Sequence, residues 1–292
     1  MKQRPHTDGN VLPRLLLGDN PFLGVNHMSE SKAIRQGRTF DSSDRIVEIV
    51  RSSQSLGFGG LFYTVHDRMV PAINVLAEVP GAFELIPALP YAHKYADLLT
   101  ERGYKGLLSQ VGFRKALHGV LRTADSYLRG RPEPALRSLV DVELSHAPSL
   151  RPKAVFLQNV VTDLLVGLGL HAVLRDFILY IRRHYHAKPG FVTFNPAALL
   201  ALVESDLPGL CICCPFNAIG FRMYPDQETV ENIVRDYSHQ VEFMAMSVLA
   251  SGSIELNRAT HYIRNHSGVT SVVVGSSNAR HLKKFHDSLG VS

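Results

Sequence analysis

Short apolar runs alternate with longer amphipathic stretches along nearly all of the 292-residue chain. The runs lie at 14–18 (RLLLG), 59–65 (GGLFYTV), 83–89 (FELIPAL), 153–159 (KAVFLQN), 190–195 (GFVTFN), 209–214 (GLCICC), 242–248 (EFMAMSV) and 271–275 (SVVVG). Each is close to continuously apolar rather than strictly alternating, the pattern of parallel strands buried on both faces. Helical patterns fill the intervals. SSDRIVEIVRSSQSLG (42–57) offers Ser42 or Ser43 as N-cap and Gly57 as a stop, and DQETVENIVRDYSHQ (226–240) opens on acidic residues that suit a helix N-terminus. Eight β/α units predict a (β/α)8 TIM barrel, a fold of about 250 residues, as a single domain over 1–292. Residues 91–152 are long for one connection. They read as a helical insertion between strands 3 and 4, mainly helical over 91–129 and helical again near 134–146, with a proline-bearing break at 130–135. KGLLSQV (105–111) fits either a ninth strand or part of that helix.

Composition narrows the class only a little. The chain is 45% hydrophobic and 20% charged, as in ordinary globular proteins. It has no run near the ~18 apolar residues of a membrane span, and MKQRPHTDGN at the N-terminus lacks an apolar leader core. The three cysteines, Cys211, Cys213 and Cys214, share one apolar strand. That is neither a disulfide framework nor a zinc set, and it predicts buried thiols in a reducing cytoplasm. A net charge of +5 permits anionic partners without requiring them. The most basic stretch, 175–188, carries apolar residues at helical spacing and reads as the solvated face of a helix rather than a nucleic-acid patch. The expected partner is a small-molecule substrate, without nucleic acid or membrane, in a chain that can form a homo-oligomer.

Four segments of the C-terminal half, in order, resemble the aldo-keto reductases. GFVTFNPAALLALVE is similar to that family's Gly-x-Ser-Asn strand and helix, and CCPFNAIGFR to its strand entering a Pro-Tyr-Asn segment. VEFMAMSVLASGSI is similar to the strand with a Pro-Leu-x-x-Gly turn, and VTSVVVGSSNARHL to the last strand and cofactor-phosphate loop. The resemblance covers about 150–290 well and 10–90 more faintly. It implies an aldo-keto-reductase-like barrel whose reductase chemistry uses an Asp, Tyr, Lys and His at the mouth. At the matching positions this chain has Tyr63-Thr64-Val65 in place of Asp-Thr-Ala, Arg68 in place of the proton-donating Tyr, no lysine in the third strand, and Gln158-Asn159 where the fourth strand should end in His. The resemblance thus implies the barrel with an atypical site lacking the tetrad.

In such a barrel the polar residues at strand C-termini are the candidates for chemistry, because apolar layers fill the interior. Asp19 and Asn20 end the first strand; Asp19 reads as a general base, a metal ligand or an Asx-turn cap. Tyr63, His66 and Asp67 follow the second, where a histidine beside an acid suits proton transfer near neutral pH. His93 and Lys94 follow the third; Lys94 can hold an anion or form a Schiff base. Gln158 and Asn159, Thr193 and Asn195, and Asn217 end the next strands as amide or hydroxyl orienting groups, one of each couple turned to the helix layer. Arg222, which matches the family's loop arginine, is a contact for an anionic group. At the last strand, Gly275, Ser276, Ser277, Asn278 and Arg280 read either as a phosphate or cofactor cradle at a helix N-terminus or as plain capping by Ser277 or Asn278. No local spacing of His with carboxylates makes a metal site. A cation, if any, would need Asp19, His66 and His93 from separate strands.

The leading functional expectation is a small-molecule metabolic enzyme doing non-reductase acid/base chemistry (a lyase, isomerase or hydrolase) on an anionic, phosphorylated or polyhydroxylated substrate, with its cofactor left open between none and a divalent metal. The alternative is an NADP(H)-dependent oxidoreductase with a rebuilt proton donor, Tyr63 or His66. A non-catalytic ligand-binding barrel is the third.

Overall fold

A computed structural model describes residues 11–24, 40, 42–79, 83–90 and 132–290. Eight strands close in chain order, each parallel to the next, with the last returning to the first. They are β1 (Leu15–Gly18), β2 (Gly60–Thr64), β3 (Glu84–Leu89), β4 (Ala154–Leu157), β5 (Lys188–Val192), β6 (Leu210–Pro215), β7 (Val241–Met246) and β8 (Val269–Val274). The expected (β/α)8 barrel is therefore present, and every strand expectation is met to within a few residues. Among the described residues the helices are α1 (Ser43–Ser55), α2 (Val70–Ala77), α3 (Glu133–Leu144), α4 (Asn159–Gly167), α5 (His171–Tyr180), α6 (Pro196–Val203), α7 (Gln227–Tyr237), α8 (Leu256–Asn265) and α9 (Ala279–Leu289). Helix α3 lies where a helix near 134–146 was expected; the rest of the insertion, 91–131, falls outside the described residues.

Local chemistry accounts for the helix boundaries. The Ser42 hydroxyl accepts the Asp44 N–H at 3.2 Å to start α1, whose Ile46, Val47, Ile49 and Val50 are buried at helical spacing. Asp226 caps α7 by accepting the Thr229 N–H at 2.8 Å. The basic 175–188 stretch is the end of α5 followed by a π-helical turn, Ile181–Tyr185. Its Phe177, Ile178 and Ile181 are buried, while Arg175 and Arg183 are exposed, as the amphipathic reading required.

Inside the barrel, Leu16, Ile86, Phe156, Val192, Cys213 and Met244 pack in one cluster, distinct from the larger shell between strands and helices. Gly190 sits against the Phe156 ring, where a Cβ would come within 2.5 Å of it; burying that phenyl group contributes about 2–3 kcal/mol. All three cysteines are free and buried, with thiol pKa values raised by burial, Cys214 to about 12. They are packing groups rather than nucleophiles. At the strand N-termini the interior turns polar: Lys188 pairs with Glu242, Lys153 with Glu84 at 2.7 Å, and the Glu242 carboxylate also accepts the Leu12 N–H at 3.3 Å. Apolar layers and this ionic floor fill the barrel interior from its N-terminal end. Among the described residues no helix is long and apolar enough to cross a membrane.

Candidate active site

The mouth is organised around Asp19, which follows β1 and is 6% exposed. Its carboxylate accepts the backbone N–H of Thr64, at the end of β2, at 2.6 Å. Its main-chain carbonyl accepts Phe22 N–H at 2.8 Å and Leu23 N–H at 3.3 Å, so the turn expected of Asp-Asn-Pro forms through the backbone. Burial pushes the Asp19 pKa up to about 6, against the opposing pull of the Thr64 N–H and hydroxyl, and among the described residues no cation offsets it. On the far side of Thr64, the Gln158 amide donates to the Thr64 hydroxyl at 2.9 Å. A chain of contacts from β4 through β2 to β1 thus fixes a carboxyl that ionises near neutral pH.

Residue parity on β2 decides which other groups reach the mouth. Gly60, Phe62 and Thr64 face the axis; Phe62 meets Phe156 edge-on at 5.0 Å. Leu61, Tyr63 and Val65 therefore face outward. Tyr63 is 2% exposed and lies in the helix layer with Val70 and Ile73 of α2 and Glu143 and Leu144 of α3. Burial, then the Glu143 and Asp19 carboxylates, raise its pKa. Tyr63 thus lies on the helix side of β2 rather than at the mouth. His66 is half-buried, and its Nδ1 accepts the Arg68 N–H at 3.0 Å, which places the proton of the neutral ring on Nε2. Arg68, at the position matching the reductase tyrosine, donates to the Phe22 carbonyl at 3.1 Å and ties the first two mouth loops together.

The expected orienting amides separate into different roles. Gln158 supports Thr64 instead of reaching outward. Asn195 is spent capping α6, its Oδ1 accepting the Ala198 N–H at 3.0 Å. Asn217 is fully buried; its amide donates to the Phe221 carbonyl at 2.9 Å and accepts the Phe221 N–H at 2.9 Å. Asn195 Oδ1 and the Asn217 amide thus serve as loop scaffolds, each closing its own turn. Asn159 begins α4 and is half-buried, Asn20 is exposed, and Thr193 turns to the helix layer, donating to Asp163 at 2.5 Å. His93 and Lys94 lie outside the described residues. Among those described, no group of three or more His, Cys, Asp or Glu side chains forms a cation cage.

The turn after β8 packs against the Asp19 turn: a Cβ on Gly275 would stand 3.3 Å from the Pro21 ring and 3.9 Å from the Gly18 carbonyl. Asn278 caps α9 by accepting the Arg280 N–H at 2.9 Å, and the Ser276 hydroxyl accepts the Asn278 N–H at 3.2 Å. The capping expectation is therefore realised by Asn278. Ser276 and Ser277 stay half-exposed, and the exposed Arg280 guanidinium pairs with no carboxylate among the described residues.

Three features of the mouth escaped the sequence. Thr64 joins Asp19 to Gln158, and strand parity alone would have turned it inward. Asp163 of α4, which accepts the Thr193 hydroxyl and the Phe194 N–H, carries no motif. Ser247, Ala250 and Ser251, in the loop after β7, adopt φ of 56°, 44° and 58°, a concentration of left-handed non-glycine residues of the kind that collects at ligand sites.

No family model and no curated protein matches the sequence. Solved structures do match. A Pseudomonas aeruginosa protein assigned to the aldo-keto reductases superposes with a TM-score of 0.59, at 14% identity, covering 96% of this chain and 92% of its own. An aldo-keto reductase from Brucella melitensis gives 0.52 at 13% identity, over 98% and 92%. Another from Klebsiella pneumoniae, in complex with NADPH, gives 0.55 at 10% identity, over 96% and 86%. The chain has the (β/α)8 barrel fold of the aldo-keto reductases.

Proposed function

We propose that the protein is an NADP(H)-dependent oxidoreductase of small oxygenated substrates in which Asp19, rather than a tyrosine, handles the proton. The observation that carries this reading is the juxtaposition of a buried carboxyl of pKa about 6 with the turn after β8, through the Pro21–Gly275 contact. The donor set of that turn fits a cofactor phosphate: the Ser276 and Ser277 hydroxyls, the N-terminus of an 11-residue helix, and Arg280, whose planar fork suits phosphate oxygens. When bound, the nicotinamide supplies or takes up the two electrons. Asp19 gives its carboxyl proton to a carbonyl oxygen in one direction and receives a hydroxyl proton in the other. Thr64 holds the carboxyl in place, and Gln158 holds Thr64. The likeness to NADPH-bound barrels of the same fold supports the redox reading over the lyase, isomerase or hydrolase expected from sequence.

A second reading, acid/base chemistry without redox, is favoured by one observation: Tyr63 faces away from the mouth and Arg68 stands where the reductase tyrosine would be. Titration with NADPH and NADP⁺, followed by cofactor fluorescence and calorimetry, separates the two. Micromolar binding, weakened about tenfold or more by Arg280→Ala, is expected. No binding at millimolar cofactor would retire the redox reading and leave the second.

A further inference from the structure

Helix α4 anchors two sides of the mouth. Gln158, at its N-cap, donates to the Thr64 hydroxyl at 2.9 Å, and the Thr64 N–H in turn holds Asp19. Asp163, in the second turn, accepts the Thr193 hydroxyl at 2.5 Å and the Phe194 N–H at 3.3 Å, which fixes the start of the loop after β5. The oxygen of Thr193, a fully buried residue, also accepts the Asn195 N–H at 3.0 Å. Two ties run on from Phe194 to the loop after β6. Its carbonyl accepts the Tyr224 N–H at 3.1 Å, and its ring centre lies 5.5 Å from the Arg222 guanidinium, which also lies 5.2 Å from the Phe221 ring. Burial raises the Asp163 pKa, and no Lys, Arg or His pairs with it among the described residues. A partly buried carboxylate without a cation is stabilised chiefly by the donors it accepts, so those two bonds hold the loop firmly. In a ring of eight strands closing in chain order, β5 stands opposite β1. A molecule held against Asp19 therefore turns its far side to the loops after β5 and β6.

We propose that Asp163 is a positioning residue of the mouth: from α4 it sets the loops after β5 and β6 as one unit, on the wall opposite Asp19. It acts through Thr193 and Phe194 and touches no ligand itself. The inference deepens the oxidoreductase reading and rests on it only where the ligand is NADPH; the coupling of the two loops is independent of it. The role needs geometry rather than charge. An Asn side chain in the same place keeps an acceptor for the Phe194 N–H and turns an amide N–H to the Thr193 oxygen, whereas Ala keeps neither.

The test is amide hydrogen exchange on the full chain, with NADPH titration by calorimetry in parallel. It compares the wild type, Asp163→Ala, Asp163→Asn and a control that loosens the core elsewhere, Val140→Ala at a fully buried position of α3. Asp163→Ala is expected to speed exchange at 194–195 and at 222–224 together, by about tenfold or more, with the turn at 276–279 unchanged. It should also weaken NADPH binding about tenfold. Asp163→Asn should stay within about threefold of the wild type in both measurements. Val140→Ala should lower the melting temperature without singling out either loop. Faster exchange at 194–195 alone, a rise no larger than the control gives, equal losses in the Asn and Ala variants, or NADPH affinity untouched by Asp163→Ala would each overturn the proposal. A wild type that binds no NADPH at millimolar cofactor retires the oxidoreductase reading instead, and the exchange pattern then decides the assignment of Asp163 by itself.

Discussion

The carboxylate of Asp19, at the end of β1, accepts the backbone N–H of Thr64, at the end of β2, at 2.6 Å, inside a mouth that supplies no counter-cation among the described residues. A hydrogen bond alone does not offset the loss of water around a charge, so the protonated form persists to unusually high pH.

That imbalance has a sign that can be measured. The folded-state pKa of about 6 lies above the ordinary 3.8, so the unfolded chain releases this proton first as pH rises. The neutral carboxyl's contribution to stability is complete below about pH 4 and is lost as pH rises through 6. At about 1.4 kcal/mol per pH unit, the penalty at pH 8 approaches about 3 kcal/mol. Asp19→Asn removes it, so the variant should exceed the wild type in stability by about 1–3 kcal/mol at pH 8 and converge with it near pH 4. The same variant should lose roughly a hundredfold or more in turnover. Urea unfolding across that range is the check. A variant no more stable than the wild type at pH 8 would mean that Asp19 is not buried as a lone charge.

The turn after β8 allows capping and ligand binding to be separated. Asn278 uses its side chain on the Arg280 N–H, whereas the Arg280 guanidinium is exposed. Asn278→Ala should therefore cost about 1 kcal/mol of stability whatever is bound, and Arg280→Ala should change stability by less than about 0.5 kcal/mol. Only the arginine variant should weaken NADPH binding at unchanged melting temperature. If the two variants behave alike in unfolding and in titration, the turn is a helix cap and nothing more.

The sequence announces the barrel because eight buried parallel strands need eight continuous apolar runs, and GLCICC or SVVVG can satisfy little else. The site was harder to read for a reason visible at β2. Tyr63 and Thr64 are both polar-tipped residues at a strand end, and only the two-residue alternation from Gly60 and Phe62 tells which one faces the axis. Reading Tyr63 by its chemistry rather than by its parity put it on the wrong side of the sheet. The amides differ: Asn195 Oδ1 and the Asn217 amide each close their own turn, local hydrogen bonds that a strand-end position does not announce. The burial of Asp19 follows a simpler rule: an acid directly after an apolar strand must either be solvated or be costly, and here it is costly.

At the opposite end of the barrel, Lys188 and Glu242 pair in the interior, with side chains 12% and 20% exposed, and Glu242 also accepts the Leu12 N–H at 3.3 Å. Two charges withdrawn from water recover that cost only from each other, so breaking the pair and replacing it are different experiments. Lys188→Met leaves Glu242 as an isolated anion facing Cys211 and the apolar layers above, and should cost about 3–5 kcal/mol. Adding Glu242→Gln, which retains an acceptor for the Leu12 N–H, should restore most of that loss, giving a coupling of about 2 kcal/mol or more in a double-mutant cycle. The floor lies across the barrel from Asp19, so the double variant should keep the mouth's affinity for NADPH. Denaturant unfolding of the four proteins measures the coupling. Additive losses would mean that water reaches both charges and that the floor is not closed.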